Sequence, residues 1–166
     1  MTDLAAISDR STLIFVRHFP GPIERVWAYL TDPKLLATWF SDGIVSDRVG
    51  GDVRFEIGAT GHLTAYQPPT LLEYTWNEEE SSCGPVANAL VRWELAEDGD
   101  DVRLTLTHSR LPEKELLAHG AGWHTFLDRL AAHVDGRDPQ PVDELFERFK
   151  AEYAPLVQAA GVNYVH

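Results

Sequence analysis

The chain has 166 residues, 44% of them hydrophobic and 10% aromatic, which is enough to bury the core of a single domain. Its formal net charge of -12 disfavours nucleic acid as a partner, because phosphate binding needs a basic surface. The sequence has no signal-peptide pattern and no run of about 18 apolar residues, so we expect a cytoplasmic protein without membrane insertion. Cys83 is the only cysteine, which excludes an intramolecular disulfide and a cysteine-based metal cluster.

The first part of the chain predicts one strand followed by two short helices. Residues 1–11 are small and polar, and we expect a flexible lead-in there. The stretch from Thr12 to Phe19 is rich in β-branched and aromatic residues, which is typical of a strand. Apolar residues three and four apart predict a helix from Ile23 to Leu30. The Asp-Pro step after it favours another helical turn from Lys34 to Trp39.

Alternating apolar residues predict a run of antiparallel strands as far as Ser109. Turn signals separate these strands, the clearest being Asp98-Gly99 between the last two. The faces that we expect to point inward carry Val53, Phe55 and Ile57, then Leu72, Tyr74 and Trp76, then Val91, Trp93 and Leu95, then Val102, Leu104, Leu106 and His108. The acidic stretch from Asn77 to Pro85 predicts a mobile loop.

Two helices are predicted after the strands. The first is long, from about Pro112 to Asp135, and its apolar stripe consists of Leu116, Gly120, Trp123, Leu127, Leu130 and Val134. Glycine inside a helix costs roughly 1 kcal/mol relative to alanine, so Gly120 and Gly122 indicate a close approach to the sheet or a break in the first turns. The second helix begins near Val142. Its apolar face predicts packing on its own domain or, as a second choice, a homodimer.

Four segments in this order resemble the SRPBCC superfamily, and most closely its branch named after the activator of the heat-shock chaperone ATPase (AHSA-like). They are FPGPIERVWAYLTDPKLLATWF (Phe19–Phe40), VGGDVRFEI (Val49–Ile57), GHLTAYQPPTLLEYTW (Gly61–Trp76) and HGAGWHTFLDRLAAHVDG (His119–Gly136). The resemblance implies an α+β helix-grip fold, in which a curved antiparallel sheet wraps around a long C-terminal helix. We expect this domain over 12–136, with a linker and an additional C-terminal helix over 137–166.

The resemblance also implies a cavity between the sheet and the long helix. Relatives bind lipids, sterols, polyketides or plant hormones, and a few are cyclases or ring-oxygenase subunits. The chaperone-activating role belongs to eukaryotic relatives that carry an additional N-terminal domain, and we expect no such domain in a chain of this length. In relatives, the region that matches Trp39 and Phe40 lies near a cavity mouth, which implies a gate; packing of the helix is the alternative.

The candidate ligand-binding residues are inward-facing aromatic and apolar side chains, with one histidine. They are Trp39, Phe40, Phe55, Tyr74, Trp76, Trp93, Leu104, Leu106, His108, Trp123 and Leu127. Preformed pockets are mostly apolar with a few polar groups, which suits this set, although each residue could equally fill a core. His108 lies on the same strand face as Leu104 and Leu106. Two interpretations stay open: it is a polar anchor for a ligand, or it is a histidine that is hydrogen-bonded to backbone.

We expect no catalytic residues, no metal and no cofactor. His119 and His124 are five residues apart and do not share a helical face, and the sequence has neither a Gly-x-Ser-x-Gly elbow nor a glycine-rich phosphate loop. The function that we predict is therefore binding of a small hydrophobic molecule without demonstrated catalysis. Two alternatives stay open: a cyclase or aromatase of polyketide type, in which His108 or Tyr74 moves protons, and a cochaperone-like interaction protein.

Overall fold

Over the residues that the structure describes, the protein folds as one antiparallel sheet with four α-helices, as expected for the α+β helix-grip class. The structure is a computed structural model that describes residues 3–81 and 83–162. The strands are β1 (Ala6–Ser8), β2 (Thr12–Pro20), β3 (Gly43–Val45), β4 (Asp52–Phe55), β5 (Ala59–Gln67), β6 (Leu71–Glu78), β7 (Val86–Asp98) and β8 (Asp101–Ser109). They form an eight-stranded sheet in the order β1-β2-β8-β7-β6-β5-β4-β3.

The helices connect or follow these strands. They are α1 (Ile23–Thr31), α2 (Pro33–Trp39), α3 (Leu116–Val134) and α4 (Val142–Ala159), and a short 3-10 helix (Glu113–Glu115) precedes α3. Asp32 caps α2 by accepting a hydrogen bond from the backbone N–H of Lys34 at 2.9 Å, and Pro33 occupies the first helical turn. None of the helices in the described ranges is both long and apolar enough to cross a membrane.

The predicted inward faces are confirmed for the central strands. Leu72, Tyr74 and Trp76 are all buried on β6, and the alternating residues of the β7–β8 hairpin are buried with them. The stripe of α3 is buried along its whole length. The hydrophobic core therefore lies between the inner face of the sheet and α3, which also contacts α2 and α4.

Three local predictions differ from the structure. The stretch expected to be a flexible lead-in contains β1, which pairs with β2; residues 1–2 of that stretch lie outside the described residues. The alternation expected to continue through Ile57 stops, because β4 ends at Phe55 and Ile57 is 48% exposed. The helix expected from Pro112 begins with the 3-10 turn, so α3 starts at Leu116.

The last helix packs on its own chain, as the first-ranked prediction had it. The apolar face of α4 (Leu145, Phe149, Tyr153 and Val157) is buried, and α4 contacts α3. A Cβ at Gly120 would lie 3.1 Å from the Tyr153 ring. The sequence predicted that this glycine allows a close approach to the sheet, but the element that approaches it closely is α4. Tyr153 also accepts a hydrogen bond from the backbone N–H of Ala5 at 2.8 Å. The N-terminus, α3 and α4 are thus held together at one place.

Replacement of Phe149 tests this docking. Phe149 is fully buried and its ring stacks on His124 with the centroids 3.9 Å apart, so Phe149→Ala should lower the free energy of unfolding by about 3–5 kcal/mol. Val142→Ala on the same helix is the control, because Val142 is 38% exposed and its loss should change stability by about 0.5 kcal/mol or less. Urea denaturation measures both, and an unchanged midpoint for Phe149→Ala would contradict the docking of α4.

Candidate functional site

Aromatic rings fill most of the space between the sheet and α3. The Trp123 ring stands 5.5 Å from both Trp76 and Trp93, measured between centroids, and Trp93 meets Trp39 edge-on at 6.2 Å. The Trp93 indole N–H donates to the Tyr74 hydroxyl at 3.0 Å. Rings at these distances and angles attract one another beyond the burial of their surface. The centre of the domain is therefore a packed core.

A cleft opens at one end of this core, where α3, α4, the end of α2 and strand β6 meet. Its volume is about 180 Å³. It is lined by Phe40, Ile57, Trp76, Glu78, Ser81, Ala118, His119, Gly122, Trp123, Phe126 and Phe146. The walls are thus mainly aromatic, and the ionisable groups among the lining residues are Glu78 and His119.

Gly122 keeps the α3 side of the cleft open. A Cβ built on this residue would meet no atom within 4 Å, so the missing side chain leaves free space and not a close helix contact. Phe40 forms the opposite wall, stacked on Trp123 with the centroids 5.3 Å apart and edge-on to Phe126 at 5.0 Å. The free space beside Gly122 is thus bordered by aromatic rings.

A β-bulge between β6 and β7 sets the position of Glu78, the acidic residue in the cleft lining. Trp76 pairs with Ala89 and Glu78 pairs with Val86, so β7 has one residue more than β6 over this interval. Asn88 takes up the extra length with a φ of 55°, and its N–H donates to the Asn77 side chain at 2.8 Å. A bulge bends its strand and redirects nearby side chains, here at the edge of the cleft.

A histidine and two glutamates form a buried polar cluster beside the cleft. The Nε2 of His119 lies 2.9 Å from the Glu78 carboxylate, and its Nδ1 lies 3.1 Å from the Glu115 carboxylate. Glu115 also accepts hydrogen bonds from the Ser81 hydroxyl at 2.8 Å and from the Cys83 backbone N–H at 2.7 Å. The loop expected to be mobile is therefore tied to the start of α3 on both sides of Ser82, which itself lies outside the described residues.

The cluster holds His119 in its charged form. Burial by itself would lower the pKa of His119, but the hydrogen bonds to Glu115 and Glu78 outweigh it and raise the pKa to about 9. Burial would likewise raise the pKa of Glu115, but the bonds from His119, Ser81 and Cys83 lower it. In formal charge, the cluster sets two carboxylates against one imidazolium.

His108 differs from His119 although the two rings are only 5.5 Å apart. Burial, with a smaller contribution from the charge of His119, lowers the pKa of His108 well below its ordinary value, so its ring is neutral. The Trp123 indole N–H donates to Nδ1 of His108 at 2.9 Å. Nε2 of His108 and Nε1 of Trp76 are both buried and have no hydrogen-bond partner among the described residues.

The structure separates the predicted ligand-binding residues into two groups. Phe40, Trp76 and Trp123 line the cleft. Buried in the core, outside the cleft lining, are Trp39, Phe55, Tyr74, Trp93, Leu104, Leu106, His108 and Leu127. Trp39 is anchored by its indole N–H, which donates to the Tyr29 carbonyl at 2.9 Å. That a ligand contacts any of these residues remains a prediction.

Sequence reasoning missed the polar side of the cleft. Glu115 and His119 are four residues apart and so share a helical face, a signal that was available in the sequence. The histidine spacing argues only against a metal site, and Glu78 lies in the stretch that is predicted to be a mobile loop. Nothing in the spacing of Phe126 and Phe146 along the chain indicates that α3 and α4 bring them to one opening.

The chain matches the family whose model is described as Activator of Hsp90 ATPase homolog 1-like protein, over residues 20–135. The chain belongs to this family, abbreviated AHSA1. The resemblance stated from the sequence motifs is thereby confirmed. A search of curated proteins finds no match for this AHSA1 chain.

Solved structures share the fold of this AHSA1 chain. CalU16 from Micromonospora echinospora is 28% identical with a TM-score of 0.75, and the match covers 88% of each chain. The protein encoded by BPP1335 of Bordetella parapertussis is 30% identical with a TM-score of 0.74, covering 89% of this chain and 87% of that one. DynU16, described as a protein in the dynemicin biosynthetic locus, is 24% identical with a TM-score of 0.66. That match covers 80% of this chain and 50% of DynU16, and at this identity it shows a shared fold alone.

The raised pKa of His119 predicts that the AHSA1 chain loses stability at alkaline pH. A folded-state pKa of about 9 against an ordinary 6.5 adds stability that is complete below pH 6.5 and is lost as the pH rises through 9. The expected loss is on the order of 3 kcal/mol. Denaturation at a series of pH values should show this fall in the wild type and a much flatter profile in His119→Gln.

His133→Gln is the control for that measurement, because His133 lies on the same helix but outside the cluster. It should keep the wild-type pH profile. Parallel profiles for wild type and His119→Gln would show that the cluster does not hold the charged histidine.

Proposed function

We propose that this protein binds the aromatic ring of a small, neutral molecule in the cleft between α2, β6, α3 and α4. The observation that carries the proposal is the slot formed by Phe40, Trp76, Trp123, Phe126 and Phe146 around the open backbone at Gly122. Aromatic walls with a few polar groups are the usual composition of a ligand site. A flat ring inserted here would stack on rings that already lie about 5 Å from one another.

The volume of the cleft limits what it can hold. An apolar cavity of about 150 Å³ accommodates one benzene molecule, and sites for drug-sized ligands begin near 300 Å³. At about 180 Å³, this cleft suits a single ring or a short branched chain. A whole lipid or polyketide would have most of its surface outside, so the part recognised here is one ring, with any larger remainder in solvent.

The charges around the cleft disfavour an anionic ligand. Glu78 and Glu115 outweigh the single charge of His119, and Glu79 and Glu80 follow Glu78 in the sequence. The chain as a whole carries a formal charge of -12. A carboxylate or phosphate on the ligand would therefore be repelled, both on approach and in the bound state.

The polar groups of the cleft support binding rather than turnover. Nε2 of His119 is directed at the Glu78 carboxylate, and Nδ1 lies 3.1 Å from both the backbone carbonyl and the carboxylate of Glu115, so neither nitrogen is free to exchange a proton with a ligand. Burial raises the pKa of Tyr74, which the cyclase alternative would use, and its hydroxyl already accepts a bond from Trp93. A general acid or base must lie within hydrogen-bond reach of the reacting group. DynU16 shares the fold and is described as a protein in the dynemicin biosynthetic locus; binding of a ring is a role that such a locus could use.

Filling the cleft at Gly122 tests the proposal. Gly122→Leu should place a side chain in the open space and abolish binding of a ring-sized probe such as fluorobenzene. It should not lower stability, because leucine is favoured over glycine inside a helix by roughly 1 kcal/mol. Fluorine-19 NMR of the probe should show broadening with wild type and none with Gly122→Leu.

Gly122→Ala is the matched control, since it removes the glycine but adds only one methyl group. It should keep most of the broadening. As a charged probe of the same size, 4-fluorobenzoate should bind more weakly than fluorobenzene. Equal broadening of fluorobenzene by wild type and Gly122→Leu would show that the ring binds elsewhere or not at all.

A further inference from the structure

Two buried N–H groups behind the cleft lack an acceptor among the described residues. Nε1 of Trp76 and Nε2 of His108 each have essentially no exposed surface and no hydrogen-bond partner there. Their residues are 3% and 0% exposed, respectively. Burying a donor without a partner costs about 1–3 kcal/mol, so a pair at one place is unusual in a folded domain.

The Trp123 contact fixes which nitrogen of His108 carries the proton. An indole N–H can only donate, so Nδ1 of His108, 2.9 Å away, must accept. A neutral imidazole has one donor and one acceptor nitrogen, which places the proton of His108 on Nε2. The orphaned atoms of Trp76 and His108 are therefore both donors, and both require an acceptor.

The two donors belong to adjacent rings, and one of these rings lines the cleft. Trp76 lines the cleft directly, and the His108 ring lies edge-on to it with the centroids 5.4 Å apart. On its other sides His108 faces the rings of Trp123 and His119. His119 offers no acceptor, because it is charged and both its nitrogens serve the glutamates.

The chemistry that satisfies these donors is narrow. An ammonium group has only donors of its own and cannot pair with them. A carboxylate would accept both bonds but would meet the excess negative charge of Glu78 and Glu115. A neutral carbonyl oxygen accepts without adding charge; because both nitrogens have essentially no exposed surface, the rings in front of them must shift for it to reach them.

We infer that the cleft recognises a neutral aromatic carbonyl compound, with its ring against the aromatic wall formed by Phe40, Trp123 and Phe126 and its oxygen accepting from the N–H groups of Trp76 and His108. This inference rests on the proposed function, since the ring must bind for the oxygen to reach the donors. It adds the class of ligand and assigns Trp76 and His108 as the residues that select it.

A pair of isosteric probes tests the inference. Acetophenone and α-methylstyrene have the same shape, but the second replaces the carbonyl oxygen by a CH₂ group that cannot accept. Wild type should bind acetophenone more tightly than α-methylstyrene. In Trp76→Phe this preference, measured as the ratio of the two dissociation constants, should be about fivefold smaller, which corresponds to the loss of one ordinary hydrogen bond. Because both probes experience the same change of ring size, the ratio isolates the N–H group.

Proton–nitrogen NMR of the wild type gives a second measurement, and it does not depend on a His108 variant that still folds. The chain has five tryptophans and so five indole N–H signals, and the Trp76 signal is the one absent from Trp76→Phe. Acetophenone should move the Trp76 signal downfield, while α-methylstyrene should not. The Trp93 signal is an internal control, because its N–H already donates to Tyr74.

The outcomes separate the two proposals. If neither probe binds, ring binding in the cleft fails and this inference fails with it. If both bind but the ratio is the same in wild type and Trp76→Phe, or the Trp76 signal does not move with acetophenone, the cleft is a ring site without carbonyl recognition. A reduced ratio together with a moved signal establishes the carbonyl contact.

Discussion

The position of Trp123 governs the rest of this structure. Its ring lies between the sheet and Phe40, contacts Trp76 and Trp93, and donates its N–H to His108. A large ring in the middle of the stripe of α3 fixes how closely the helix approaches the sheet, because interiors are packed without voids of side-chain size. The cleft opens toward one end of the helix, beside Gly122, where no side chain projects.

Charged and hydrogen-bonding groups fix the structure at the end of α3 beside the cleft. Glu115 sits at the start of α3, 1% exposed, and gathers bonds from His119, Ser81 and Cys83. A buried carboxylate is stable only when its oxygens are paired, and these partners supply the pairing. The same bonds bring the β6–β7 loop against the helix and so complete the wall of the cleft. The polar and the aromatic parts of the site therefore depend on each other's geometry.

Much of the fold could be predicted from particular residues. Alternation at Leu72, Tyr74 and Trp76 and around Asp98-Gly99 correctly identifies the buried faces of β6, β7 and β8, because side chains of a strand alternate between two faces. Less was predictable at the edges. The strand β1 has too few residues for a pattern, and its pairing with β2 is a tertiary contact. Gly120 marks a close approach, but the approaching group is Tyr153, 33 positions further along the chain.

The candidate site divides in the same way. The sequence alone determined that Trp76 and Trp123 face the interior, and it contained the four-residue spacing of Glu115 and His119, since period and spacing are local properties. Only the tertiary structure decided that most of the aromatic residues fill a core, that a cleft of about 180 Å³ remains, and that Glu78 meets His119 across 41 positions. The physical reason is that volume and charge pairing depend on how distant segments pack, while a pattern along the chain reports only which side of each segment is buried.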